Sequence, residues 1–206
     1  MTAHRDRTYG GRTLADRQAD RRRRFLEAGL AEFSTIGYAA SSVTSLCKAA
    51  GLSRRQFYDL FDSRETLLTK LYDEIQSTAR LAIEQVLSTN SSRDIRVLAS
   101  AAMRAYVESV GTDPRHAEVS FVQVVGVSRE LELHRLDGRD EWVEFFVAAM
   151  SEFAGATPSP RLGHLATAFV GALTSVIHDW SLDPHPGELD EVVDVLTDIL
   201  VAFAEL

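Results

Sequence analysis

Between Ser41 and Leu68 the chain reads SSVTSLCKAAGLSRRQFYDLFDSRETLL. Two short runs with apolar residues at helical spacing flank the turn signal Ala50-Gly51-Leu52-Ser53. Ser41 or Ser42 is placed to cap the first run, whose inward face is Val43, Leu46 and Ala50, and Ser53 to cap the second. The second helix would have only about six or seven residues, fewer than an isolated helix needs to persist in water. It must therefore lean on neighbours, and Phe57 and Phe61 supply the packing. Two short helices across a tight glycine-containing turn form a helix-turn-helix.

With those phenylalanines inward, Arg54, Arg55, Gln56 and Tyr58 project from the start or outer face of the second helix. An arginine can fork to guanine O6 and N7, and a glutamine can pair with adenine N6 and N7. Tyr58 offers a hydroxyl to a phosphate, and Ser42 and Ser53 leave N–H groups near the surface that suit phosphate oxygens. Val43 and Thr44, in the first turn of the preceding helix, complete the set expected to face DNA.

Charge points the same way. The 206 residues carry a net −8, yet up to Arg64 there are 12 Lys+Arg against 7 Asp+Glu, and from Glu65 onward 10 against 23. A basic first third on an acidic remainder implies two parts with different partners. Within the basic part, Arg21 and Arg22 of the run Arg21 to Arg24 are expected close to DNA.

Residues 1–16, with Gly10-Gly11 and few apolar side chains, read as a flexible basic arm carrying Arg5, Arg7 and Arg12. Residues 17–63 form the expected DNA-binding domain, with Asp16 capping its first helix, and residues 64–206 a larger helical domain. Asp62 and Glu65 look like the two halves of a capping box opening a long helix to about Leu87. Further helices are expected near 93–110, 114–127, 128–153, 161–181 and 188–205. The fold class is all-α, with about nine helices and no strand alternation: an N-terminal three-helix bundle containing the helix-turn-helix, then a larger helical domain.

The lone Cys47 forbids an intrachain disulfide and reads as a small core residue. No secretory segment or membrane-length apolar run is present, so the expected location is cytoplasmic, with no membrane partner. No nucleophile elbow, zinc-protease motif or phosphate loop appears, and the six histidines lack metal-ligand spacing. No catalytic residue, metal or cofactor is expected.

The segments FLEAGLAEFSTIGY, SSVTSLCKAAGLS, FYDLF and SRETLL, within Phe25 to Leu68, closely resemble the DNA-binding domain of TetR-type transcriptional regulators. The resemblance implies an all-α homodimeric repressor with an N-terminal reading head and a C-terminal effector pocket. By motif position it makes Ser42 and Tyr58 DNA-backbone contacts, puts Arg54, Arg55 and Gln56 on the recognition helix, and sets Arg64 where a phosphate-binding lysine is usual. Arg55 stands in place of a small residue, Leu60 in place of a frequent histidine, and Cys47 in place of a common alanine.

In the acidic part, Met103, Tyr106, Val107, Phe121, Val124, Trp142, Phe146, Met150 and Phe169 are the bulky candidates to line an effector cavity, with Gln123 and His178 as polar members. The last helix repeats Leu189, Val192, Val193, Leu196, Ile199, Leu200 and Phe203 at near-heptad spacing. The helix before it carries small residues at Ala168, Gly171, Ala172 and Ser175 that permit close approach. In the family, this pair of helices builds a four-helix bundle with its twin. The expected partners are thus a double-stranded DNA operator, a second copy of the chain and a small-molecule effector. An activator or unliganded regulator with the same head is the alternative reading, and an all-helical enzyme or lipid carrier the remote one.

Overall fold

The computed structural model describes residues 13–204, which form nine α-helices and, among the described residues, no strand. The chain divides into two compact units after Leu71. The expected arm falls largely on residues 1–12, outside the described residues, together with Arg5, Arg7 and Arg12.

Helix α1 spans Leu14–Ile36 and starts earlier than the sequence suggests. Thr13 Oγ1 accepts from the Asp16 amide at 3.1 Å, while the Asp16 carboxylate accepts from the Thr13 amide at 2.9 Å. Asp16 is therefore the far half of a capping box, not the cap, and residues 14–16 are helix rather than arm. Helices α2 (Val43–Ala50) and α3 (Arg54–Tyr58) follow, then α4 (Arg64–Thr89). The first unit buries Phe25, Leu26, Leu30, Phe33, Leu46, Phe57, Phe61, Leu67 and Leu68. Phe25 meets Phe57 edge-on at 5.3 Å and Phe61 at 6.1 Å, and Phe57 and Phe61 lie 5.6 Å apart. Such pairs add about 0.5–1.5 kcal/mol each beyond burial, which is how a five-residue helix keeps its place.

At the start of α4, Ser63 Oγ accepts from the Thr66 amide at 3.1 Å. The expected Asp62–Glu65 box does not form, because the helix begins at Arg64 and the capping position is the residue just before it. The division between units falls inside α4, not at its start: Leu67, Leu68 and Leu71 are buried as part of the first unit.

The second unit comprises the rest of α4, α5 (Ile95–Tyr106), α6 (Pro114–Ala117), α7 (Arg129–Phe153), α8 (Pro160–Leu182) and α9 (Leu189–Ala204). Helix α5 packs on α9, and α8 packs on both α7 and α9. Asp94, Ser128 and Ser159 cap α5, α7 and α8. Two expected stretches of α-helix are widened instead into π-helical turns, Val107–Gly111 after α5 and Glu118–Gln123 after α6. The first turn brings Gly111 against the Trp180 ring, where a Cβ would sit 2.8 Å from Cζ3. A ladder of rings, Tyr106 to Trp142 at 5.5 Å, Trp142 to Phe146 at 6.0 Å and Phe146 to Phe169 at 4.7 Å, runs through the core. No described helix is long and apolar enough to cross a membrane.

Candidate DNA interface and effector cavity

Helices α2 and α3 each open on a serine side-chain cap. Ser42 Oγ accepts from the Ser45 amide at 3.0 Å, and Ser45 Oγ accepts from the Ser42 amide at 2.9 Å. Helix α2 closes on Gly51 at φ 62°, a left-handed conformation in which a side chain would be strained and would meet the Arg24 guanidinium at 2.8 Å. Arg24 Nη2 donates to the Ala50 carbonyl at 2.6 Å and to that of Gly51 at 3.3 Å, putting a cation on the negative end of α2. Ser53 then caps α3, and the Gln56 Oε1 accepts from the Ser53 amide at 2.9 Å and its hydroxyl at 3.0 Å.

Ser42, Thr44, Ser53, Arg54 and Arg55 are exposed, Tyr58 is 50% exposed, and Val43 is half-buried. These residues lie on or next to α2 and α3, and Tyr58 is propped edge-on against Phe57 at 5.5 Å. Of the other expected contacts, Gln56, Arg64 and Arg22 are engaged within the fold. Gln56 spends its oxygen on the cap, so a bidentate pair with adenine, which needs that oxygen as acceptor, requires the cap to open. Arg64 Nη1 donates to the carbonyls of Tyr38 and Ser41 and to Ser41 Oγ, with its guanidinium 4.7 Å from the Tyr38 ring centroid. Arg22 lies 5.3 Å over the Phe61 ring, and Arg21 is half-buried. Burial pushes the Cys47 thiol up, with Arg54 pulling weakly the other way.

In the second unit a cavity of about 530 Å³ is lined by Tyr106, Phe121, Trp142 and His178, four of the expected effector residues. Met103, Val107 and Val124 are instead buried in the core, and Phe146, Met150 and Phe169, also buried, border smaller spaces away from this cavity, because a bulky apolar side chain fills space as readily as it lines it. Gln123 donates to the Glu118 carboxylate at 2.7 Å and does not border the cavity. Bulk alone misses Gln76 of α4 and Arg135 and Arg139 of α7, which do. The signal for Gln76 was present: an amide on the inward side of a helix between Ile75 and Ala79. Trp142 Nε1 donates to Gln76 Oε1 at 3.0 Å, and Gln76 Nε2 to Ser120 Oγ at 3.3 Å. Burial raises the Tyr72 phenol above its ordinary value and the Tyr106 phenol well above it, so both line the cavity as neutral groups.

The expected twin-facing residues divide. Val192, Val193, Leu196 and Leu200 are buried within their own chain, where α5 and α8 pack on the apolar stripe of α9. Leu189, Ile199 and Phe203 are half-buried. On α8, Ala168, Gly171 and Ser175 are exposed and Ala172 is half-buried; Gly171 and Ser175 also border the cavity. The acidic ladder of α9 makes ion pairs with α5, Asp190 to Arg104 at 2.6 Å and Asp198 to Arg96 at 2.7 Å.

A capped helix pair whose second helix presents two arginines on a basic segment defines a helix-turn-helix head of the DNA-binding class. Residues 25–71, the head and the start of α4, match the family model described as bacterial regulatory proteins, tetR family. The curated HTH-type transcriptional regulator YdgC of Bacillus subtilis, described as uncharacterized, is 24% identical over 110 residues. That match covers 52% of this chain and only 56% of YdgC. Among solved structures, the fatty acid degradation regulator FadR from Bacillus halodurans superposes with a TM-score of 0.78 at 16% identity, over 88% of this chain and 94% of that one. FadR from Bacillus subtilis, in complex with stearoyl-CoA, superposes at 0.77 with 14% identity, over 87% and 97%.

Proposed function

We propose that this chain is a homodimeric, cytoplasmic DNA-binding repressor, released from a palindromic operator by a small apolar or amphipathic ligand. One observation carries the reading: a five-residue helix, locked by the Ser53–Gln56 cap and the phenylalanine cluster, holds Arg54, Arg55 and Tyr58 out to solvent. A short rigid helix with forked donors suits a major groove, and the surrounding cations suit phosphates. The stearoyl-CoA bound by the Bacillus subtilis FadR supports an amphipathic ligand for the cavity here.

Helix α4 contributes to both units, with Gln76 at the cavity and Arg64 on the Tyr38–Ser41 turn. Ligand occupancy that displaces Gln76 would thus act on the helix that anchors the head. A ligand that takes the equilibrium from 1:99 to 99:1 must prefer the non-binding form by about 5.5 kcal/mol. Pairing of two chains is supported by the exposed small residues Ala168, Gly171 and Ser175 on α8 and by Val195, 45% exposed, beside Ile199 on α9. Selection from random-sequence duplexes tests the proposal. It predicts a palindrome with half-sites about 34–36 Å apart, or a multiple of that spacing; recovery of no enriched sequence contradicts it.

A further inference from the structure

We propose that the cavity receives an anionic amphipath whose acidic group is read by Arg135 and Arg139 of α7. This rests on the cavity being an effector site. Residues 72–206 hold nine Arg and no Lys against 22 Asp+Glu, yet the cavity wall carries two of those arginines and a single carboxylate, Glu132. A domain so acidic concentrates cations in its cavity against its own net charge. Arg135 and Arg139 are four residues apart and so share one face of α7.

The hydrogen bonding of the wall separates satisfied from unsatisfied donors. The Trp142 indole is spent on Gln76, and Gln76 on Ser120. Arg135 donates from Nη1 to Glu132 at 2.9 Å, but its Nε is shielded from solvent and hydrogen-bonded to no other group. Arg139 points Nε and Nη2 at one oxygen of its exposed neighbour Asp140, at 3.3 and 3.0 Å. Guanidinium groups in this state are suited to a carboxylate, sulfonate or phosphate, each of which accepts from the fork. Tyr106, Phe121 and Trp142 supply the apolar surface for the rest of the ligand. The second π-helical turn borders the cavity through Ser120 and Phe121, and the first follows directly on Tyr106 of α5, which also lines it. Such turns recur at functional sites.

The test uses the full chain carrying Trp180→Phe, so that Trp142 is its only indole, titrated with anilinonaphthalene sulfonate and with its uncharged parent, phenylnaphthylamine, while Trp142 quenching is read. The sulfonate is expected to bind at least about tenfold more tightly. Replacing Arg135 and Arg139 with Gln should bring the two probes to equal affinity, with the naphthylamine unchanged. Glu132→Gln, which removes the competing carboxylate, should tighten the sulfonate alone. Displacement by decanoate but not decyl phosphate assigns a carboxylate, and the reverse a phosphate. Equal probe affinities in the parent protein, a preference that survives in R135Q/R139Q, or displacement by decanol as strong as by both acids overturns the inference. Duplex binding is measured in parallel on R54A/R55A; its persistence there contradicts the DNA reading and leaves the probe preference untouched, so the two failures are distinguishable.

Discussion

Gln56 Oε1 lies 2.9 Å from the Ser53 amide nitrogen, so the amide best placed to read an adenine is the lock on its own helix. Ser53→Ala is expected to destabilise the head by about 0.5–2 kcal/mol, the usual cost of a lost N-cap. Gln56→Glu keeps an acceptor at the same place and should leave the urea midpoint nearly unchanged, while Gln56→Ala lowers it. Selection with Gln56→Glu should recover the parent sequence. A changed base at one operator position would assign Gln56 a direct reading role instead.

Arg64 is a clamp before it is a phosphate contact. Its three hydrogen bonds to Tyr38 and Ser41 tie the start of α4 to the turn ahead of α2. Arg64→Gln should cost about 1.5–3 kcal/mol, the range for bonds from a charged donor. The slope of log affinity against log salt should stay unchanged for duplexes bound by this variant. A slope reduced by about one per subunit would make Arg64 a phosphate ligand.

Cys47 is 6% exposed, and burial holds its thiol above its ordinary range. The thiolate is the reactive form, so alkylation at neutral pH should be far slower in the folded protein than in urea. Folding favours the protonated thiol. Its contribution is therefore intact below the unfolded-state value and is lost as pH rises through the folded one, so Cys47→Ala should flatten the alkaline fall in stability. Native and unfolded protein reacting at the same rate would contradict this.

Asp113 caps α6 and is held below the usual carboxylate range, chiefly by the Arg115 side chain at 2.8 Å. A depressed value means the contribution is present above the unfolded pKa of about 3.9 and is lost as pH falls through the folded one. The Arg115 side chain is 41% exposed and that of Asp113 31%, and solvent screening keeps the pair to less than about 1 kcal/mol. Asp113→Asn, which can still cap, should reduce stability slightly at pH 7 and match the parent protein in acid, as followed by urea denaturation. A deficit that persists in acid would place the effect in the cap and not in the charge.

The head was legible because each of its signals is local. Serine caps at positions 42 and 53, Gly51 at the end of α2 and inward Phe57 and Phe61 act within a few residues of one another, and the structure places them accordingly. What Gln56 and Arg64 do with their polar ends was not, since a capping acceptor and a base-reading amide are the same residue in a sequence. The second unit is harder for a physical reason. Val192, Val193, Leu196 and Leu200 form an apolar stripe that fits a twin or the chain's own α5 and α8, and nothing in the stripe distinguishes them. Likewise Trp142 lines the cavity while Phe146, one turn on, fills the core. Arg135 and Arg139 are not legible as cavity residues because a charged side chain on a helix in an acidic domain looks the same in a sequence whether it faces a cavity or solvent.

The central claim is that Arg54, Arg55 and Tyr58 contact a DNA duplex. Its most direct measurement is the anisotropy of a fluorescent duplex, recovered by selection, titrated with the parent protein and with R54A/R55A/Y58F at matched helicity and matched mass. The account predicts a loss of at least about 100-fold for the triple variant, with a shallower salt dependence. Undiminished affinity for the same sequence in a folded protein of unchanged mass would contradict it.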